Sequence, residues 1–162
     1  MLWLPLIAIL LHMTEEFVWP GGFAEWYRHF PPGRVAKVST RFLVVVNLVF
    51  VALALLPPML GANARGYAYW MLVAAIAAAN GVFHLVATLR YRAYSPGLVT
   101  GVLVYVPLGV VGASYLLRAH LAAPAVMAQA AAIAVAYAWW STWKHGRSVV
   151  PPTEPSGRTW PS

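Results

Sequence analysis

Cysteine is absent from all 162 residues, which excludes disulfides, thiolate metal sites and cysteine nucleophiles. Aspartate is absent as well, so the four acidic residues are all glutamates: Glu15, Glu16, Glu25 and Glu154. Charge of either sign is scarce. Asp, Glu, Lys and Arg make up 9% of the chain and hydrophobic residues 61%, whereas ordinary soluble domains carry about 25% charged residues. That balance, with a mean hydropathy of +0.69, excludes a soluble domain and implies a membrane protein folded as one compact bundle. The net charge of +7 is not laid out as a stripe, because the basic residues fall between apolar blocks. Such a pattern is that of orientation signals, and no nucleic-acid partner is expected.

What the chain does have is five apolar blocks, from about Leu2 to Trp19, Arg41 to Leu60, Tyr67 to Leu89, Leu98 to Leu117 and Leu121 to Trp143. Each is near the ~20 helical residues that a hydrocarbon core requires, and continuous apolarity favours helices over barrel strands. The first block lacks a basic n-region and a small-x-small cleavage site, so it reads as a retained helix. The expected fold is all-α: a polytopic membrane protein with a five-transmembrane-helix bundle over residues 1–143. Segment 21–40 is expected to be interfacial, its Phe23 to Phe30 stretch forming a helix with aromatics at headgroup level. Residues 144–162, rich in Pro and Ser, read as a disordered cytoplasmic tail.

Five spans place Arg65 and Arg118 on one side of the membrane. The other nine basic residues (Arg28, Arg34, Lys37, Arg41, Arg90, Arg92, Lys144, Arg147 and Arg158) fall on the opposite side. By the positive-inside rule the N-terminus is outside and the C-terminus cytoplasmic, in a multi-pass protein assigned to the bacterial inner membrane. Small residues such as Ala74, Ala77, Ala78, Gly81, Gly101, Gly109 and Gly112 read as close helix contacts. Tyr67, Tyr69 and Trp70 on the outside, and Trp139, Trp140 and Trp143 on the inside, read as interface belts.

Against this background two of the four glutamates lie inside the first apolar block, in Leu11-His12-Met13-Thr14-Glu15-Glu16-Phe17. An ionisable group at membrane depth costs roughly 2.5–3.5 kcal/mol on insertion scales, so an imidazole and two carboxylates together require partners or a task. His12, Glu15 and Glu16, at i, i+3 and i+4, share one helix face. The third block repeats the theme with Asn80 and His84 at i and i+4 and Thr88 a turn beyond. Counted from Trp19, Arg90 and Arg41, His12 lies ~10 Å and His84 and Asn47 each ~9 Å inside the cytoplasmic face. The polar interior groups of three helices thus share one slab. Adjacent carboxylates repel when both are ionised, which calls for a cation or a shared proton.

The string His12-x-x-Glu15-Glu16, followed by Asn80-Gly81-Val82-Phe83-His84 and Tyr94-Ser95-Pro96-Gly97, resembles the HXXEE-motif membrane protein family. The resemblance implies that His12, Glu15, Glu16, Asn80 and His84 act together, with Tyr94 at the cytoplasmic mouth; it implies no particular reaction.

The function expected first is a membrane-embedded metal-dependent enzyme, a hydrolase or oxidoreductase, acting on a lipid or other hydrophobic substrate near the cytoplasmic leaflet. His12, His84 and one of Glu15 and Glu16 hold a single divalent metal (Zn, Fe or Mn), and the other glutamate is a general base. Asn80, Asn47 and Tyr94 stand around it as substrate or supporting groups. The alternatives are a small carrier or binding protein for a cation, proton or hydrophobic ligand, and a structural assembly subunit in which the polar slab only sets helix register. A homo-oligomer is compatible with each.

Overall fold

The computed structural model describes residues 1–30, 35–36, 39–147 and 149–150. Among these described residues six helices follow one another: α1 Leu4–Phe17, α2 Phe23–Arg28, α3 Thr40–Leu60, α4 Ala64–Tyr91, α5 Leu98–Arg118 and α6 Pro124–Arg147. Apart from an antiparallel pairing of Val35–Ala36 with Val149–Val150, the described residues are helical or connecting. Of the expected tail 144–162, residues 144–147 continue α6 and Val149–Val150 join that pairing. The remainder of the tail lies outside the described residues.

Each apolar block has become a helix, but they differ in reach. Three, α3, α4 and α5, are long and apolar enough to cross a membrane. The 14 residues of α1 extend ~21 Å and the apolar part of α6, Pro124–Trp139, ~24 Å, both short of a ~30 Å core. The first helix stops two residues before Trp19, because Val18 and Trp19 both donate to the Thr14 carbonyl and Gly21 donates to that of Glu15. Those bonds fold the chain back on itself and lead it directly into α2.

Local sequence accounts for the other boundaries. Ser39 caps α3 by accepting from the Phe42 N–H at 3.1 Å, and Asn63 caps α4 by accepting from Arg65 and Gly66 at 3.0 and 3.1 Å. These side chains satisfy N–H groups that an isolated helix leaves open. The first turn of α5 is different: Gly97 precedes it in a left-handed conformation (φ +100°) and offers no side chain. Its cap comes from elsewhere in the molecule.

The central helix is α4, packed against α3, α5 and α6, while α1 lies across α3, α4 and the start of α5. Close approach of α4 and α5 rests on Gly81 and Gly101, where a Cβ on Gly81 would fall 2.5 Å from the Gly101 carbonyl oxygen. Between Gly101 and Tyr105, α5 takes a π-helical turn, an irregularity frequent at functional sites. One apolar cluster, Ala8, Ile9, Ala54, Val73, Ala77 and Tyr105, joins α1, α3, α4 and α5. A second surrounds Trp70, which is fully buried and donates its indole N–H to the Met1 carbonyl at 3.1 Å. Trp70 is therefore a core residue and not part of an outer belt: burial under Gly112, where a Cβ would lie 2.1 Å from its ring, leaves it no route to lipid.

Candidate metal centre

Buried positions on α1 are Pro5, Ala8, Ile9, His12, Glu15 and Glu16, the 3.6-residue stripe that faces the bundle. The polar end of this stripe meets His84 on α4. His12, Glu16 and His84 are 2%, 3% and 0% exposed, so solvent satisfies none of them. Glu16 Oε1 stands 3.2 Å from His12 Nε2 and 3.3 Å from His84 Nε2. All three ligand atoms lie within 4.8 Å of one another. The Glu16 oxygen is 3.3 Å from His84 Nε2, yet that buried ring nitrogen has no hydrogen-bond partner. Leaving a buried polar atom unmatched costs about 1–3 kcal/mol, so its position requires a reason.

Each imidazole is oriented through its other nitrogen. His84 Nδ1 is 2.8 Å from Ser95 Oγ, and the Ser95 N–H in turn donates to Thr88 Oγ1 at 3.2 Å. His12 Nδ1 is 2.8 Å from Thr100 Oγ1, and His12 Nε2 accepts from the Asn80 amide at 3.1 Å. The Tyr105 ring, brought in by the π-helical turn, stacks on His12 at 4.3 Å. Gly97 closes one side: a Cβ there would lie 2.7 Å from His12 Cε1 and 2.9 Å from His84 Nε2. Only glycine leaves that space open and also tolerates its positive φ.

Glu15 does something other than expected. Its Oε1 accepts from Tyr94 Oη at 2.5 Å, the Gly97 N–H at 3.2 Å and the Val99 N–H at 2.9 Å. Oε2 accepts from the Thr100 N–H at 2.6 Å and the Thr100 hydroxyl at 2.5 Å. Glu15 of α1 is thus the missing cap of α5, an anion seated on the positive end of a helix. Both Glu15 oxygens are engaged in this way, and the glutamate whose oxygen stands beside both imidazole nitrogens is Glu16. Tyr94 donates to Glu15 and makes no described bond to His12, Glu16 or His84. Burial and the hydrogen bond to that carboxylate raise the Tyr94 pKa to about 12, which keeps the phenol protonated as a donor.

The two asparagines are placed differently. Asn80 reaches His12, whereas Asn47 turns its amide onto the Leu43 carbonyl of its own helix at 2.9 Å and makes no described bond to the cluster. Counting residues from the helix end does not say which way the Asn47 side chain turns. The α2 aromatics turn inward: Phe23 is buried, with its ring 5.7 Å from that of His84, and the Trp26 ring is 6.1 Å away. With Phe83 they wall the centre in hydrocarbon. Ser95, Gly97 and Thr100 were missed as neighbours of the imidazoles. The Tyr94–Gly97 string pointed to the segment, but nothing in the spacing aims Ser95 at His84 or Thr100 at His12.

Two of the three cluster edges, 3.2 and 3.3 Å, match the ~3.3 Å edge of a tetrahedron with ~2.0–2.1 Å bonds to nitrogen and oxygen. The donor set suits a borderline divalent ion. A family model described as "Protein of unknown function with HXXEE motif" matches residues 3–112, a range that takes in every residue of the centre. No curated protein and no solved structure matches the chain.

Proposed function

The chain belongs to the HXXEE-motif family, and from that premise we propose a membrane-embedded metal-dependent enzyme acting on a lipid or other hydrophobic substrate. One observation carries the reading. A buried carboxylate oxygen faces two imidazole nitrogens, one of them without a hydrogen-bond partner, at separations that suit a common cation. Three protein ligands, His12, Glu16 and His84, leave a coordination position for water or substrate, as catalytic sites do and closed structural sites do not. A divalent ion there would act as a Lewis acid or lower the pKa of a bound water. Asn80 orients His12, and the aromatic wall from α2 excludes bulk water.

In this reading α3, α4 and α5 cross the membrane, α1 and α6 complete their crossings with the residues that flank their shorter apolar stretches, and the N-terminus is outside. The centre then lies near the cytoplasmic leaflet of a multi-pass protein of the bacterial inner membrane. The exposed apolar sides of α3 (Val44, Val45, Leu48) and α5 (Leu103, Val110, Val111) meet lipid or a second copy of the chain. The carrier alternative is less favoured because an apolar core of Ala8, Ile9, Ala54, Val73 and Ala77 packs beside the cluster where a polar path would have to continue.

Elemental analysis tests the proposal on protein purified in mild detergent without chelator. One transition metal per chain is expected in the wild type, lost in both Glu16→Ala and His84→Ala. Absence of stoichiometric metal from the folded wild type, before and after zinc, iron or manganese is supplied, would refute it. Metal identity then narrows the reaction: zinc excludes metal-centred redox chemistry, whereas iron or manganese allows an oxidoreductase.

A further inference from the structure

A neutral imidazole offers a metal only the nitrogen that lacks a proton, so something must place the proton on the other one. For His12 the hydrogen bonds decide which. Thr100 carries one hydroxyl proton and donates it to Glu15 Oε2 at 2.5 Å. The same carboxylate already accepts three backbone N–H groups and the Tyr94 phenol. The N–H groups can only donate, so this arrangement is that of an acceptor. With its proton committed, Thr100 Oγ1 can only accept along its 2.8 Å contact with His12, which requires a proton on Nδ1. The opposite nitrogen, Nε2, then carries a lone pair that accepts from the Asn80 amide at 3.1 Å, and it faces the Glu16 oxygen 3.2 Å away with no proton between them, a repulsion that a shared cation would relieve.

We propose that Glu15 and Thr100 form a relay from the α5 helix cap that holds His12 as its Nδ1–H tautomer and so aims the Nε2 lone pair at Glu16 and His84. Both are positioning residues. The same five-donor contact that fastens α1 to α5 therefore also sets the electronic state of the first imidazole, and the second glutamate of the motif acquires a purpose distinct from that of its neighbour. The effect on metal affinity rests on the metal reading above; the tautomer does not.

Nuclear magnetic resonance of the ring nitrogens distinguishes the two tautomers in the full chain, labelled at histidine and kept metal-free with chelator at neutral pH. The His12 signals are assigned by their disappearance in His12→Gln. The expected result is a protonated Nδ1 and a bare Nε2 in the wild type. Thr100→Val, which keeps the shape and the backbone donor but removes the hydroxyl, should release the proton to Nε2 or to a mixture, and Thr100→Ser should restore the wild-type pattern. In parallel, zinc affinity should fall about 10- to 100-fold in Thr100→Val, the usual cost of an outer partner, and recover in Thr100→Ser. A wild-type His12 protonated at Nε2 overturns the relay even if Thr100→Val does not fold, and so does an unchanged tautomer in a folded Thr100→Val. If the wild type shows the Nδ1–H form but takes up no zinc, the relay stands and the metal reading fails.

Discussion

Glu15→Gln separates the two adjacent glutamates most directly. The substitution keeps size and shape but replaces one of two acceptor oxygens by an NH2 group. A single oxygen can retain at best the three donors now at Oε1: Tyr94, Gly97 and Val99. The two Thr100 donors then face an amide that also donates. The hydroxyl can rotate away, but the backbone N–H cannot, and an unsatisfied buried donor costs about 1–3 kcal/mol. Loss of negative charge at a partly buried helix N-terminus adds up to ~2 kcal/mol. Together these give about 2–4 kcal/mol, or a fall of about 5–15 °C in the unfolding midpoint for a chain of this size. Near-ultraviolet circular dichroism of detergent-solubilised, metal-free protein reads the midpoint through the buried tryptophan. Glu16, which faces imidazoles and no helix N-terminus, should give the smaller fall when changed to Gln. A Glu15→Gln midpoint within about 2 °C of wild type, or a larger loss in Glu16→Gln, would refute the assignment of Glu15 as the α5 cap.

Gly97→Ala should abolish zinc uptake, because the new Cβ would lie 2.7 Å from His12 Cε1 and 2.9 Å from His84 Nε2 at a φ of +100°. The backbone strain alone is worth about 1–3 kcal/mol, and wild-type zinc affinity in the purified variant would show that the space beside the rings is not needed. Tyr94 gives a pH dependence. Its folded pKa, raised to about 12 by burial and Glu15, makes its contribution complete below the ordinary phenol value near 10. That contribution is lost as pH rises toward 12. Thermal midpoints measured across that range should fall more steeply for wild type than for Tyr94→Phe; parallel curves would dissociate the phenol from Glu15.

The two adjacent glutamates show where a linear reading stops. Spacing along α1 placed His12, Glu15 and Glu16 on one face, and all three do face the bundle. Neighbours on one face still differ by 100° of rotation per residue, enough to aim Glu15 at the bare start of α5 and Glu16 at His84. The α5 cap was hidden because its donor segment has no capping side chain of its own, and a deficit at residue 97 does not announce a carboxylate at residue 15. Trp70 illustrates the same limit: an aromatic near a helix start resembles a belt residue until Gly112 is seen to accommodate it.

Composition and periodicity alone determined that this chain is helical and membrane-like, that two of its four acids share a face of the first helix with His12, and that Asn80 and His84 share a face of another. Those are properties of local preference and of distance along an axis, which residue order contains. Which carboxylate meets the imidazoles, which nitrogen each ring presents and which loop closes over them were decided by how α1, α4 and α5 rotate and pack. These depend on contacts between residues more than 60 positions apart, such as His12 with Asn80 and Thr100, and only the assembled bundle specifies them.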